Sequence, residues 1–87
     1  MTSRDSFTSA MLSWLNARLA PAGVIIAADT QLFGRGLMDS IKVLELIAYT
    51  ERAIGELIPD SRIRMDNFRT VGRIAEVFVA EAADAAA

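Results

Sequence analysis

The chain has 87 residues, of which 53 % are hydrophobic and 23 % charged, with a net charge of -2. That is one domain's worth of chain, and at this size folding buries only about 60–65 % of the surface exposed by the unfolded form. With no cysteine and no histidine, the chain has no means of building a disulfide, a Cys/His zinc site, a thiolate nucleophile or a Ser-His triad, and its charge lacks the basic excess of a nucleic-acid binder.

Met1 to Phe7 holds Arg4 and Asp5 and no apolar run, which does not read as a signal peptide. No apolar stretch approaches the roughly 20 residues needed to cross a bilayer. Zero cysteine fits a reducing compartment. The expectation is a soluble cytoplasmic protein, monomeric by default, with neither nucleic acid nor membrane as partner.

The first helix is expected from about Asp5 to Ala20, capped by Ser3 or Asp5. At 100° per residue Phe7, Met11, Leu12, Trp14, Leu15 and Leu19 share one arc, with Ser9, Ser13 and Asn16 on the other side. Pro21 and Gly23 end it. A long connection follows to Met38, containing Val24-Ile25-Ile26, Asp29-Thr30, Leu32-Phe33, Gly34 and Gly36. A short strand at Val24–Ile26 is one option, without an evident pairing partner. Long loops in small domains tend to be functional, and the apolar residues of this one are expected to pin it across the helices.

The second helix is expected to begin at Asp39-Ser40 and run to Ile54, with Gly55 as its C-terminal stop. Pro59 forbids continuation. Ile63, Met65 and Phe68 lie in a segment long enough for one helical turn, and Thr70 reads as the N-cap of the last helix. Val71, Ile74, Ala75, Phe78 and Ala82 form the apolar stripe of that helix, while Arg73 and Glu76 face away. Residues 81–87 read as a fraying tail, so a single domain over 1–87 has its core at about 5–80.

The second helix carries two apolar faces. With Ile41 set at 0°, Leu46, Thr50, Val43, Ile54 and Ile47 fall between about 140° and 240°, which marks a core face. Ile41, Ala48 and Leu44 fall between about 300° and 0°, flanked by Glu45, Glu51 and Arg52. One reading is a central helix buried on two sides. The other is an exposed apolar patch, ringed by charge, for partner proteins.

Asp39-Ser40 taken alone reads as a helix cap. A helix N-terminus also favours an anion through its free N–H donors and its dipole, so a phosphodiester on the Ser40 oxygen suits the position. Gly36 and the Leu37-Met38 step would leave the hydroxyl accessible. With no histidine to activate it, Ser40 is better placed to be modified by another enzyme than to act as a nucleophile of its own.

The stretch Leu32-Phe33-Gly34-Arg35-Gly36-Leu37-Met38-Asp39-Ser40-Ile41 resembles the phosphopantetheine attachment region of acyl carrier and peptidyl carrier proteins. Ile58-Pro59-Asp60 resembles the family's Ile-Pro element after the second helix, and Asn67-Phe68-Arg69-Thr70-Val71 its entry into the last helix. The resemblance covers roughly residues 5 to 80. It implies an all-α, four-helix bundle of the acyl-carrier type with a long first loop and a short third helix. It also implies 4'-phosphopantetheine on Ser40, with Asp39 beside it, attached from coenzyme A by a phosphopantetheinyl transferase. The protein itself would then be no enzyme and hold no metal. A loading ligase for acyl or aminoacyl groups and a downstream synthase or transferase would be its further partners. The family docks partners mainly on the second helix, which maps onto Met38, Ile41, Leu44, Glu45 and Ala48, and Phe68, near the arm, is expected among the docking residues too.

Two departures shift the expected role. Gly-Leu-Met-Asp-Ser-Ile has one residue more between Gly and Asp than fatty-acid carriers have, which looks more like stand-alone carriers of D-alanine, other amino acids or unusual polyketide extender units. The second helix also sets Lys42 and Arg52 beside Glu45 and Glu51, whereas fatty-acid carriers are usually strongly acidic there. A specialised acyl or aminoacyl carrier is therefore expected, with its cargo left open. The competing readings are an unmodified helical adaptor that binds through the Ile41/Leu44/Ala48 face, and a helix-turn-helix DNA binder, which the negative charge disfavours.

Overall fold

Each α-helix begins where a short polar side chain takes up a first-turn amide. In the computed structural model, which describes residues 3–33 and 37–79, Ser3 accepts from the Ser6 N–H and starts α1, Arg4–Arg18. Asp39 accepts from the Lys42 N–H and starts α2, Ser40–Ile54. Thr70 accepts from the Arg73 N–H and starts α3, Val71–Ile74, which widens into a π-helical turn over Ala75–Val79. Such caps contribute about 1 kcal/mol each. Gly55 stops α2 at φ 75°, a left-handed conformation that costs a residue with a side chain more than it costs glycine.

Among the described residues these are the α-helices, and no strand is present. The segment expected to supply the short third helix of a four-helix bundle supplies two 3-10 turns instead, Asp60–Arg62 and Met65–Phe68. Ile63 (φ -83°, ψ 81°) and Arg64 (φ -128°, ψ 143°) stand between them, and neither backbone is helical. Among the described residues the fold is all-helical, with three α-helices and these turns. The expected fraying of 81–87, the place of Ala82 on the last stripe and the backbone of Gly34-Arg35-Gly36 lie outside the described residues.

The core is the one that periodicity indicates. Phe7, Met11 and Leu15 of α1 and its C-cap Leu19 are buried against Val71, Ile74, Ala75 and Phe78, with Leu46 of α2 closing the cluster. Leu12 and Trp14 pack partly buried at its edge. Trp14 stacks on Tyr49 with ring centroids 4.4 Å apart, tying α1 to α2. Phe68 packs against Phe78 at 5.1 Å and so fastens the second 3-10 turn to the last helix.

The long connection is fixed by hydrogen bonds to its backbone. Asn16 donates from Nδ2 to the Ile26 carbonyl (3.0 Å) and accepts the Ile26 N–H on Oδ1 (2.7 Å). A side-chain amide thus takes the place of a neighbouring strand, which is why Val24–Ile26 is not one. Further along, the Leu32 N–H donates to the Arg69 carbonyl and the Gly72 N–H to the Ala28 carbonyl. A Cβ on Gly72 would lie 3.3 Å from that carbonyl oxygen, so glycine permits the close approach. Of the apolar residues expected to pin the loop, Ile26, Leu32 and Leu37 are buried, whereas Ile25 is 86 % exposed.

Replacing Asn16 by Ala leaves the Ile26 amide and carbonyl without these partners. The expected loss is about 1–3 kcal/mol of unfolding free energy, read from urea denaturation. An unchanged midpoint would show that the pairing contributes nothing net.

Candidate functional site

Ser40 is the first residue of α2, and Asp39 sets its position. The Asp39 side chain is committed to the Lys42 N–H at 2.9 Å, and its carbonyl accepts the Val43 N–H at 2.9 Å. The amides of Ser40 and Ile41 belong to the first turn, where no helical carbonyl lies one turn back to receive them. The Ser40 side chain is exposed and has no hydrogen-bond partner among the described residues. The hydroxyl is accessible, and the helix end beneath it favours negative charge.

Ser40 and Asp39 stand on the wall of a cleft of about 620 Å³. Phe33 and Met38 contribute from the long connection, Val43, Leu44 and Ile47 from α2, and Ile63, Arg64, Met65 and Phe68 from the two 3-10 turns and the link between them. The lining is mainly apolar. Among the described residues Arg64 is its one basic member, and that side chain has no ion-pair partner among them.

α2 does present two different faces. Leu46 and Thr50 are fully buried, and the Thr50 hydroxyl donates to the Leu46 carbonyl at 2.8 Å, so the buried oxygen is satisfied. On the other side Ile41 is 69 % and Leu44 66 % exposed, and Glu45 and Ala48 are exposed as well. The helix is therefore not buried on two sides. Ala48 lies away from the Ser40 cleft, beside Arg52 and Leu57. Glu51 faces partly inward, where its Oε2 accepts the Ile58 N–H at 2.7 Å and holds the chain just before Pro59.

Phe68 requires a correction. Expected with the docking residues, it is 2 % exposed and locked on Phe78, so it forms part of the cleft's wall and offers no surface to a partner. Met38 is half-buried and packs on the core from the cleft's rim.

The sequence alone does not place Arg64, or the Ile63–Met65 link, in the lining of the Ser40 cleft. The available signal was an arginine between two apolar residues in a segment too short for a stable helix.

The residues present fit a phosphopantetheine group. An accessible serine hydroxyl lies at a helix end suited to phosphate, and an apolar cleft extends from it. Among the described residues no group of acidic side chains could hold a metal ion, and no helix is long and apolar enough to cross a membrane. No curated protein and no solved structure matches the chain. The family model for the phosphopantetheine attachment site does match, over residues 9–78. That span holds α2, the cleft and most of the core, and the chain belongs to the family of carrier proteins that bear 4'-phosphopantetheine on a serine.

Proposed function

We propose that Ser40 is the serine that bears the arm. The matched span contains four serines, Ser9, Ser13, Ser40 and Ser61. Ser9 and Ser13 lie inside α1, and Ser61 lies in a three-residue 3-10 turn. Ser40 alone among them begins a helix and lines the cleft. This coincidence of a free hydroxyl, a helix N-terminus and an apolar cleft carries the reading.

When bound, the group supplies a terminal thiol, and hence thioester chemistry, to a chain without cysteine. The chain's own part is to present and hold. The Asp39 carboxylate gives one oxygen, Oδ1, to the Lys42 amide, and the chain has no histidine. We assign the base to the phosphopantetheinyl transferase, acting with coenzyme A. We further propose that the cargo is an acyl or aminoacyl group handed to enzymes of a specialised biosynthetic pathway. The working unit would be a single cytoplasmic carrier domain, acting as a monomer.

Docking is assigned to Ile41, Leu44, Glu45 and Ala48, with Met38 at the rim. The support is that an exposed apolar pair flanked by charge lies on the first turns of the helix that presents Ser40.

Incubation with coenzyme A and a broad-specificity transferase should add one phosphopantetheine to the intact mass. The adduct should vanish in Ser40→Ala and persist in Ser61→Ala. No adduct with several transferases would overturn the reading and favour an adaptor that binds through the same face without modification.

A pair of leucines on α2 tests the docking face. Leu44→Asp should leave the melting curve within about 0.5 kcal/mol of wild type yet slow loading about tenfold, equivalent to about 1.4 kcal/mol. Leu46→Ala should cost about 2–5 kcal/mol of stability. A large loss of stability in Leu44→Asp would place that residue in the core.

A further inference from the structure

We propose that Arg64 is the cation that pairs with the phosphodiester on Ser40 and thereby lays the arm along the cleft. The inference rests on the Ser40 reading above and adds a residue to it. Four arginines follow α2 between residues 60 and 73. Arg69 pairs with Asp66 at 3.2 Å, and Arg73 with Glu76 at 2.9 Å and Asp66 at 3.7 Å. Arg62 lies over the Phe78 ring at 5.9 Å from its centroid. Arg64 is exposed, has no ion-pair partner among the described residues, and lines the same cleft as Ser40 and Asp39.

The electrostatics at Ser40 call for such a cation. The attached group adds a negative charge next to the Asp39 carboxylate, and like charges at this spacing repel. The helix N-terminus offsets part of that repulsion. Lys42 is the nearer cation in sequence, but two residues on a helix is a rotation of about 200°, and Lys42 is not among the residues lining the cleft. Arg64 lines the same cleft as Ser40, and a guanidinium there offers paired N–H donors that match phosphate oxygens. Its non-helical backbone, between the two 3-10 turns, places it on that wall. The flanking Ile63 and Met65 extend an apolar surface on either side. An arm held at its phosphate by Arg64 is thus directed over the cleft, whose lining includes Leu44 but not Ile41, so Ile41 stays clear.

The test uses isotope-labelled protein converted to the phosphopantetheine form, with conversion checked by intact mass. The Arg64 Nε–H resonance should shift between the unmodified and the modified protein, and the shift should shrink as salt is raised. The phosphorus resonance of the arm should move in Arg64→Gln and largely return in Arg64→Lys, while the mass adduct stays complete. In Arg64→Gln, nuclear Overhauser contacts from the arm to the Ile63 and Met65 side chains should be lost. A complete adduct with an unmoved Arg64 signal, or a phosphorus resonance indifferent to Arg64→Gln, would overturn this inference and leave the Ser40 reading intact. An Arg64 shift that appears only after loading a dicarboxylic acyl group would also overturn it, assigning the residue to cargo. Absence of the adduct would overturn the Ser40 reading, and the role of Arg64 with it.

Discussion

The hydrogen bond from the Lys42 amide to the Asp39 carboxylate is the contact on which the site depends. It decides where α2 starts, and with 3.6 residues per turn the start decides the azimuth of every later residue. Leu46 and Thr50 then turn inward, while Ile41 and Leu44 turn outward. A start displaced by one residue would rotate the helix by about 100° relative to the chain entering it, and Ser40 would no longer stand over the cleft. The cap also fixes one oxygen of the carboxylate nearest to Ser40 on the Lys42 amide. One local bond thereby sets the position of the serine and orients its acidic neighbour.

A cap holds only if the chain leading into it is held as well. The described part of the connection between α1 and α2 has no helix or strand of its own and is tied down at several points. Asn16 takes both polar groups of Ile26, Arg69 receives the Leu32 amide, and Ala28 receives the Gly72 amide. The latter two bonds join the loop to the entry of the last helix, whose N-cap is Thr70. The segment leading to Ser40 and the segment facing it are therefore fastened to each other. The cleft keeps its shape because both its walls share these anchors, with Phe68 pressed on Phe78 beneath them.

Local signals explain what the sequence made legible. The three helix starts could be read because Ser3, Asp39 and Thr70 are capping residues, and the stop of α2 because Gly55 adopts a conformation that suits glycine. The two faces of α2 could be read because periodicity depends only on spacing. Asn16 was assigned to the solvent side of α1 because its partner lies ten residues away, and nothing in its neighbours announces that pairing. One short helix is expected where the two 3-10 turns stand because three apolar residues in a short segment do not reveal that neither Ile63 nor Arg64 has a helical backbone. The burial of Phe68 is hidden from the sequence for a similar reason. It is decided by Phe78, which lies in another element.

The charge on α2 bears on how a partner would recognise the proposed docking face. Lys42 and Arg52 stand among Glu45 and Glu51, and Glu51 is already drawn inward to the Ile58 amide. Little net field remains on the outer surface, so long-range steering toward a basic partner is weak. What remains is contact: Ile41 and Leu44, each about two-thirds exposed, offer apolar area that only a complementary surface can cover. Recognition of this kind discriminates by fit at short range more than by capture rate. It suits a carrier that serves a few dedicated enzymes, and it follows from the same rotation of α2 that leaves Ser40 free at the mouth of its cleft.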